Sequence, residues 1–369
     1  TVFSVIIISN MKLATKKERK ELFKKIRQKK RKKRMPFSIM FELTYKCNFK
    51  CPHCYLGKPQ KLKKKELTTN QVKKVLDDLA ETGVYRIGFT GGEPLLRKDI
   101  FEILDYANKK GFRFGLLTNG YLIDAKTADK LKKSNVDKVD ITFNSMCSET
   151  FGKLAGVADG YKKVFKAIKL LVKRDMQVSI KSTATELNKH ELEKISKFAR
   201  ENNIRYRLDG EVLPCRGGDD EWVDKFSLDM AEFLDLRKKI YPEMYQRTDN
   251  SRKRKTRRRR NKVFNCGVGM NSFSINPYGQ MNFCIEIDHP NADILKNGVL
   301  SCWEKIKSEI DKINELALSD KFVCRDCNLF SYCGWCAGRS YIENGDFNTC
   351  SEYFKNRAIA RKKIRSIEK

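Results

Sequence analysis

SIMFELTYKCNFKCPHCY, residues 38–55, is the stretch on which the reading of this chain turns. Ser38–Leu43 reads as a β-strand, and the chain then enters a short loop carrying Cys47, Cys51 and Cys54, with Tyr55 directly after. Three thiolates on one tight loop can hold three irons of a cubane and leave the fourth without a protein ligand, whereas full structural sites, zinc or iron–sulfur, use four ligands. A zinc ion completed by His53 or by a later cysteine is the rival reading of the same residues. The open corner has a use of its own, because it can bind and reduce a chelating cofactor.

Working outward, strand and helix patterns alternate. Asn70–Glu81 predicts a helix with Val72, Val75, Leu76 and Leu79 on one face. Strands are expected at Tyr85–Phe89, Phe112–Leu117, Lys138–Phe143, Gln177–Thr183 and Arg205–Leu208. Between them fall helices at Ile100–Lys110, Asp124–Lys133, Tyr161–Arg174 and His190–Asn202. This is the pattern of βαβ units on a parallel sheet with right-handed crossovers. The fold class is therefore α/β, and six strands between 38 and 208 suit a partial (β/α)6 barrel better than a closed eightfold one. Ligands of such sheets sit at the carboxyl ends of the strands, where Cys47–Cys54, Thr90–Pro94 and Thr118-Asn119-Gly120 fall.

Gly91-Gly92-Glu93-Pro94 follows the second strand. Paired glycines let backbone approach a ligand closely, and a glutamate can accept hydrogen bonds from an ammonium group. With the cysteine triplet one βα unit earlier, the sequence resembles the radical S-adenosylmethionine (SAM) enzymes. Their CxxxCxxC motif matches Cys47, Cys51 and Cys54, and their glycine-rich motif matches residues 91–94. The resemblance implies a [4Fe–4S] cluster that chelates SAM and, given an electron, cleaves it to a 5′-deoxyadenosyl radical. It also implies SAM contacts from Tyr55, from Gly91, Gly92, Glu93 and Pro94, and from the strand-end residues Thr118, Asn119, Ser145 and Ser182.

A second cysteine field follows: Cys266, Gly279 and Cys284, then Cys324, Cys327, Cys333, Cys336 and Cys350. The spacing resembles the SPASM module, which holds auxiliary [4Fe–4S] clusters in radical SAM enzymes that modify peptides and proteins. It departs once, since Cys333-Gly334-Trp335-Cys336 is one residue short of the family spacing. By that resemblance one auxiliary cluster would use Cys324, Cys327, Cys333 and Cys350, and the other Cys266, Cys284 and Cys336. A fourth ligand for the latter, six residues before Cys266 in some members, is here Arg260; the iron is open, or Cys215, Cys302 or another group completes it. Cys302 reads as a small core residue and Cys147 as inert. Taken alone, the paired cysteines also read as a zinc ribbon.

The composition adds bounds. The chain has 369 residues, 13 Cys and a net charge of +31, of which about +20 lies in residues 12–34 and 252–260. Such runs are expected as solvated tails, or as guides for an acidic leader peptide; lacking interleaved aromatics, they do not read as base-stacking platforms. The apolar run Val2–Ile8 is too short to span a membrane, Met11 reads as an alternative start, and a cytoplasmic protein is expected. The expected organisation is a basic segment (1–36), the barrel (37–210), a linker or cap (211–262), the auxiliary-cluster domain (263–351) and a basic helix (352–369). The expected activity is hydrogen abstraction from a peptide or protein, with an external donor of flavodoxin or ferredoxin type and no membrane or nucleic-acid partner. The alternatives are a haem-pathway tetrapyrrole decarboxylase and, from another class, a non-catalytic iron–sulfur or zinc protein contacting nucleic acid.

Overall fold

The computed structural model describes residues 15–57, 65–210, 212, 214–216, 221–244, 262–319 and 322–367. The arginine run at 252–260, Arg260 and the apolar run at 2–8 lie outside the described residues. Six parallel strands, β1 (Ser38–Glu42), β2 (Arg86–Thr90), β3 (Arg113–Thr118), β4 (Lys138–Thr142), β5 (Val178–Thr183) and β6 (Arg205–Asp209), lie side by side in chain order. Ile39, Phe41, Ile87, Phe89, Phe114, Leu116, Val139, Ile141 and Ile180 are buried on one face of this sheet. Against them pack the buried stripes of α2 (Thr69–Glu81), α3 (Ile100–Lys109), α4 (Ala125–Lys133), α6 (Gly160–Lys173) and α7 (Leu192–Glu201), a single hydrophobic core. Thr68 opens α2 with a capping box to Gln71, which satisfies two otherwise orphaned backbone N–H groups.

The region after the barrel does not begin a separate sheet. β7 (Ser272–Ile275) pairs in parallel with β1, Ser38 beside Ser272 and Phe41 beside Ile275, and β8 (Gln280–Cys284) and β9 (Ile287–Asp293) follow antiparallel. Among the described residues the nine strands form one sheet in the order β6-β5-β4-β3-β2-β1-β7-β8-β9. The long α10 (Ile294–Glu315) buries Trp303 and Cys302 at its core face. The cap expected before β7 contributes α8 (Glu221–Phe226) and α9 (Met230–Ile240).

The basic N-terminal segment departs from a solvated tail. It forms α1 (Lys16–Lys32), opened by a Thr15–Glu18 capping box and pinned to the barrel base. Phe23 stacks on Tyr85 at 4.8 Å, Lys30 donates to the Gly83 carbonyl at 3.2 Å, and Arg34 reaches both Asp311 oxygens at 2.8 Å. Of its three apolar residues, Phe23 and Ile26 are half-buried and Leu22 is exposed; the two covered side chains decide its course, because they have a hydrophobic surface to cover while most of the lysines remain in water. At the other end, after α11 (Ala337–Asn344), α12 (Glu352–Ile367) buries Phe354 and Ala358.

Candidate active site

Strand β1 ends in Glu42, and the chain then folds over as the cysteine loop. Two backbone bonds stitch this loop to the glycine turn after β2: Gly92 N–H to the Thr44 carbonyl at 2.7 Å, and Glu93 N–H to the Lys46 carbonyl at 2.8 Å. A Cβ on Gly91 would lie 2.2 Å from the Thr44 oxygen, and one on Gly92 would lie 2.4 Å from the Lys46 oxygen. The glycines thus serve a close approach between two protein backbones, where the sequence suggested an approach to a ligand. On its far side the loop is held by Lys50 N–H to the Ala155 carbonyl at the end of α5 (Ser148–Ala155), and Phe49 packs edge-on to Tyr121 and Phe151.

Glu93 is fully buried and its carboxylate is taken up by internal donors. Thr118 Oγ1 donates to both oxygens at 2.8 and 2.9 Å, Asn119 N–H to Oε2 at 2.7 Å, and Leu95 N–H to Oε1 at 3.0 Å, capping the short turn Pro94–Leu96. Burial pushes its pKa up to about 7 against the pull of these bonds. Glu93 therefore clips the end of β2 to the end of β3, and no carboxylate oxygen is left free for an ammonium group. The hydroxyls of Ser145 and Ser182, two other expected contacts, are likewise engaged by protein partners. Ser145 is buried with its hydroxyl at 2.8–2.9 Å from Glu191, which also accepts from Met146 and Cys147 N–H. Ser182 is buried and donates to the Phe143 carbonyl at 2.5 Å. Both hydroxyls lock strand ends.

Cys47, Cys51 and Cys54 lie close enough for the thiolate charges of Cys47 and Cys54 to bear on Cys51, whose pKa is pushed up by burial and then by those neighbours. N–H groups are aimed at the sulfurs: Phe49 N–H at 3.4 Å and the Asn119 amide at 3.9 Å from Cys47 Sγ, and the N–H groups of Leu56 and Gly57 at Cys54. Such donors stabilise thiolate, the form a metal binds, so the donor set fits an iron–sulfur cluster held by three cysteines. Asn48 Nδ2 and His53 Nδ1, in the same loop, are shut off from solvent without a partner. Burial and the nearby charge of Lys181 bring the His53 pKa down to about 4, so the ring is neutral.

One part of the site was missed by sequence reasoning. Glu42, fully buried, is bracketed by Arg216 Nη2 at 3.1 Å from both oxygens, by Tyr55 Oη at 3.0 Å and by Tyr45 Oη at 3.2 Å. Arg216 also donates to Tyr45 Oη at 2.5 Å and to the Ile285 carbonyl beside Cys284, and its own N–H bonds to the Tyr55 carbonyl at 2.8 Å. Tyr55 thus turns its hydroxyl to Glu42. The available signal was a charged residue ending an apolar strand five residues before the first cysteine.

The second field divides into two groups. Cys333 feels the charges of Cys350 and Cys327, with Cys324 buried nearby in sequence. Cys284 feels Cys336, and Cys336 feels Cys266; burial is the main reason their pKa values rise, to about 12 for Cys284 and about 11 for Cys336. Cys215 Sγ lies against Gly57, on the side of the first cysteine loop, near Cys54. Cys302 donates to the Asp293 carbonyl at 3.3 Å in the core. The carboxylate neighbour of Cys284 and Cys336 is Glu286. Among the described residues no trio of His, Cys, Asp or Glu is gathered tightly enough for one metal ion.

An open α/β barrel with a three-cysteine loop stitched to a glycine turn defines the radical SAM fold. Residues 41–199 match the radical SAM superfamily, so the chain carries a radical SAM domain, of a class built on a [4Fe–4S] cluster and SAM. It is 24% identical to the AdoMet-dependent heme synthase of Methanosarcina barkeri (strain Fusaro / DSM 804) across 80% of this chain and 89% of that one. It is 28% identical to the antilisterial bacteriocin subtilosin biosynthesis protein AlbA of Bacillus subtilis (strain 168), over 77% of this chain and 63% of AlbA. Further relatives are matched over only 38% and 34% of their own length. Streptococcus suis SuiB, solved bound to its precursor peptide SuiA, shares the fold with a TM-score of 0.60 at 18% identity, over 93% of this chain and 82% of SuiB. The likeness therefore includes the cysteine-rich C-terminus. No helix among the described residues is long and apolar enough to cross a membrane.

Proposed function

We propose that this enzyme abstracts hydrogen from a peptide or protein and so matures or modifies it. A cluster on Cys47, Cys51 and Cys54 would bind SAM through its open iron and supply the electron that releases the 5′-deoxyadenosyl radical. The chain's own residues orient and shield. Phe49 N–H and the Asn119 amide hold the Cys47 sulfur, the Gly91-Gly92 seam fixes the loop over the strand ends, and Glu42 with Arg216 braces Tyr45 and Tyr55. Positioning and exclusion of water are what an enzyme contributes to radical chemistry.

The observation that carries the reading is that the first cysteine loop follows β1 while Cys284 of the second field ends β8 of the same sheet, with Arg216 reaching from Tyr55 to Ile285, the residue after Cys284. Auxiliary clusters on Cys324, Cys327, Cys333 and Cys350 and on Cys266, Cys284 and Cys336 would then have a route for electrons to or from a substrate radical. The fold shared with a peptide-bound enzyme over nearly the whole chain supports the same reading. An acidic leader would meet the basic α1, and reduction would come from a flavodoxin- or ferredoxin-type donor.

The likeness to a heme synthase favours a second reading, decarboxylation of an anionic tetrapyrrole. Anaerobically reconstituted protein, reduced with dithionite and given SAM, tests the choice. Release of 5′-deoxyadenosine stimulated by a precursor peptide supports the first reading. Stimulation by an iron porphyrin, with a shifted absorption band on binding, supports the second.

A further inference from the structure

The basic helix α1 ends against the second cysteine field. Arg31 Nη2 donates to the Cys266 carbonyl at 3.0 Å, and Arg34 Nε donates to the Gly269 carbonyl at 3.0 Å. Arg34 turns its remaining donors to α10, reaching both oxygens of Asp311 at 2.8 Å and the Lys307 carbonyl at 3.4 Å. Its own carbonyl accepts from Trp303 Nε1 at 3.0 Å. The Arg34 backbone stands at φ 50°, a left-handed conformation that a bulky residue keeps only where its surroundings over-determine it. A few residues on, Phe37 and Ser38 N–H both reach the Asn271 carbonyl, at 2.9 and 3.2 Å.

What these bonds hold is the loop from Cys266 to Asn271. Cys284 ends β8 and Cys336 stands at the N-terminus of α11, so regular structure fixes both. Backbone N–H groups reach the Cys284 sulfur from Glu286 and Ile287, and the Cys336 sulfur from Gly338 and Arg339. Such donors suit thiolates that bind iron. Cys266, the exposed member of the three, belongs to no helix or strand. Just before it, Val263 and Phe264 N–H are tied to Asn314 Oδ1 at 3.1 and 3.4 Å. Just after it, the Gly267 carbonyl gathers the N–H groups of Met270, Asn271 and Ser272 at 3.0 Å. The carbonyl of Cys266 itself is held by Arg31.

We propose that Arg31 and Arg34 are positioning residues for an auxiliary iron–sulfur cluster on Cys266, Cys284 and Cys336, which makes the basic N-terminal helix a working part of that centre. Arg34 anchors the helix end and the Gly269 side of the loop to α10, and Arg31 then fixes the peptide group of Cys266 and with it the direction of the sulfur. An arginine suits both places, because its planar fork reaches several carbonyls at once from a fixed geometry. The proposal rests on the auxiliary-cluster reading above and deepens it, by assigning the residues that bring the loop-borne ligand to the two held by regular structure.

Iron release to bathophenanthroline disulfonate tests it on anaerobically reconstituted full chains, with the electron paramagnetic resonance spectrum of the dithionite-reduced protein followed in parallel. The signal missing from Cys266→Ala identifies this cluster. In Arg31→Gln its signal should decay, and its iron leave, about fivefold faster than in the unmodified chain, the weight of one hydrogen bond. Arg34→Gln should accelerate the loss at least as much, and Arg31→Lys, which keeps a charged donor, should restore the unmodified rate. The iron that remains in Cys266→Ala should leave at the same rate whether or not Arg31→Gln is added, which a general loosening of the fold would not allow. Unmodified rates in both Arg31→Gln and Arg34→Gln, or equal acceleration of all the iron, overturn the proposal while leaving the cluster assignment standing. An iron count and spectrum unchanged in Cys266→Ala overturn the assignment and the proposal together.

Discussion

Arg216 and Glu42, distant in sequence, meet at 3.1 Å in a place where the carboxylate has no solvent exposure. A buried pair of this kind contributes little over a hydrophobic one, yet losing one partner strands the other's charge. Arg216→Met should therefore destabilise the fold by about 3–5 kcal/mol, read from anaerobic urea unfolding. Adding Glu42→Gln to Arg216→Met should recover part of the loss. If the double variant is as unstable as the sum of the singles, Glu42 is not held as a charge by Arg216.

The backbone seam between loop and turn makes a sharper forecast. A methyl group at Gly92 would stand 2.4 Å from the Lys46 carbonyl, so Gly92→Ala has to push the cysteine loop off the strand ends. Displacement on the scale of an ångström costs about a hundredfold in a positioned reaction, so 5′-deoxyadenosine release should fall by about that factor. Gly152→Ala, where the nearest atom is 3.7 Å away, should leave it unchanged.

Iron content tests the ligand sets directly. Three cubanes predict about 12 Fe per chain, falling by about 4 in the Cys47/Cys51/Cys54→Ala variant. Removing Cys327, Cys333 and Cys350 should lower the count by a similar step while leaving SAM-induced changes in the electron paramagnetic resonance spectrum. An iron count unaltered by the first variant rules out the cluster assignment.

Glu93 gives a pH signature. Its pKa is raised in the folded protein to about 7 from a model-peptide value of 4.5, chiefly by burial, so the folded state holds its proton where the unfolded chain has lost it. This contribution is complete below the unfolded pKa and is lost as pH rises through about 7. The fall amounts to about 3 kcal/mol at most. Glu93→Gln, whatever its absolute stability, should show a flatter profile between pH 5 and about 7.5 in urea unfolding. Parallel curves for the two proteins would mean that Glu93 titrates as in water.

Much of this architecture could be read before any coordinates. Ser38–Leu43, Lys138–Phe143 and their companions announce themselves because a parallel strand covered by helices needs an unbroken apolar row. The cysteine loop and the glycine turn were legible as a pair, but the job of the glycines was not: whether backbone approaches a ligand or another loop depends on a contact between segments some 45 residues apart. Arg216 illustrates the same limit. It follows a cysteine in a polar loop, and nothing local says that its guanidinium will close on a carboxylate at the end of the first strand. Ser145 and Ser182 show the converse, since a hydroxyl at a strand end has the right address for a ligand and can still turn inward to a carbonyl or carboxylate. In the N-terminal segment, Phe23 and Ile26 gave too faint a periodicity among the lysines to separate an anchored helix from a tail.

The pairing of Ser272–Ile275 with Ser38–Phe41 has a consequence for biosynthesis. β1 keeps one raw edge until β7, some 230 residues after Glu42, has been translated, although its other neighbour, β2, is complete at Thr90. Through that interval the nascent chain displays unsatisfied N–H and carbonyl groups along an apolar ribbon, a template for promiscuous strand capture. Truncation before β7 should accordingly yield inclusion bodies, and chaperone demand should peak while the last third is being made.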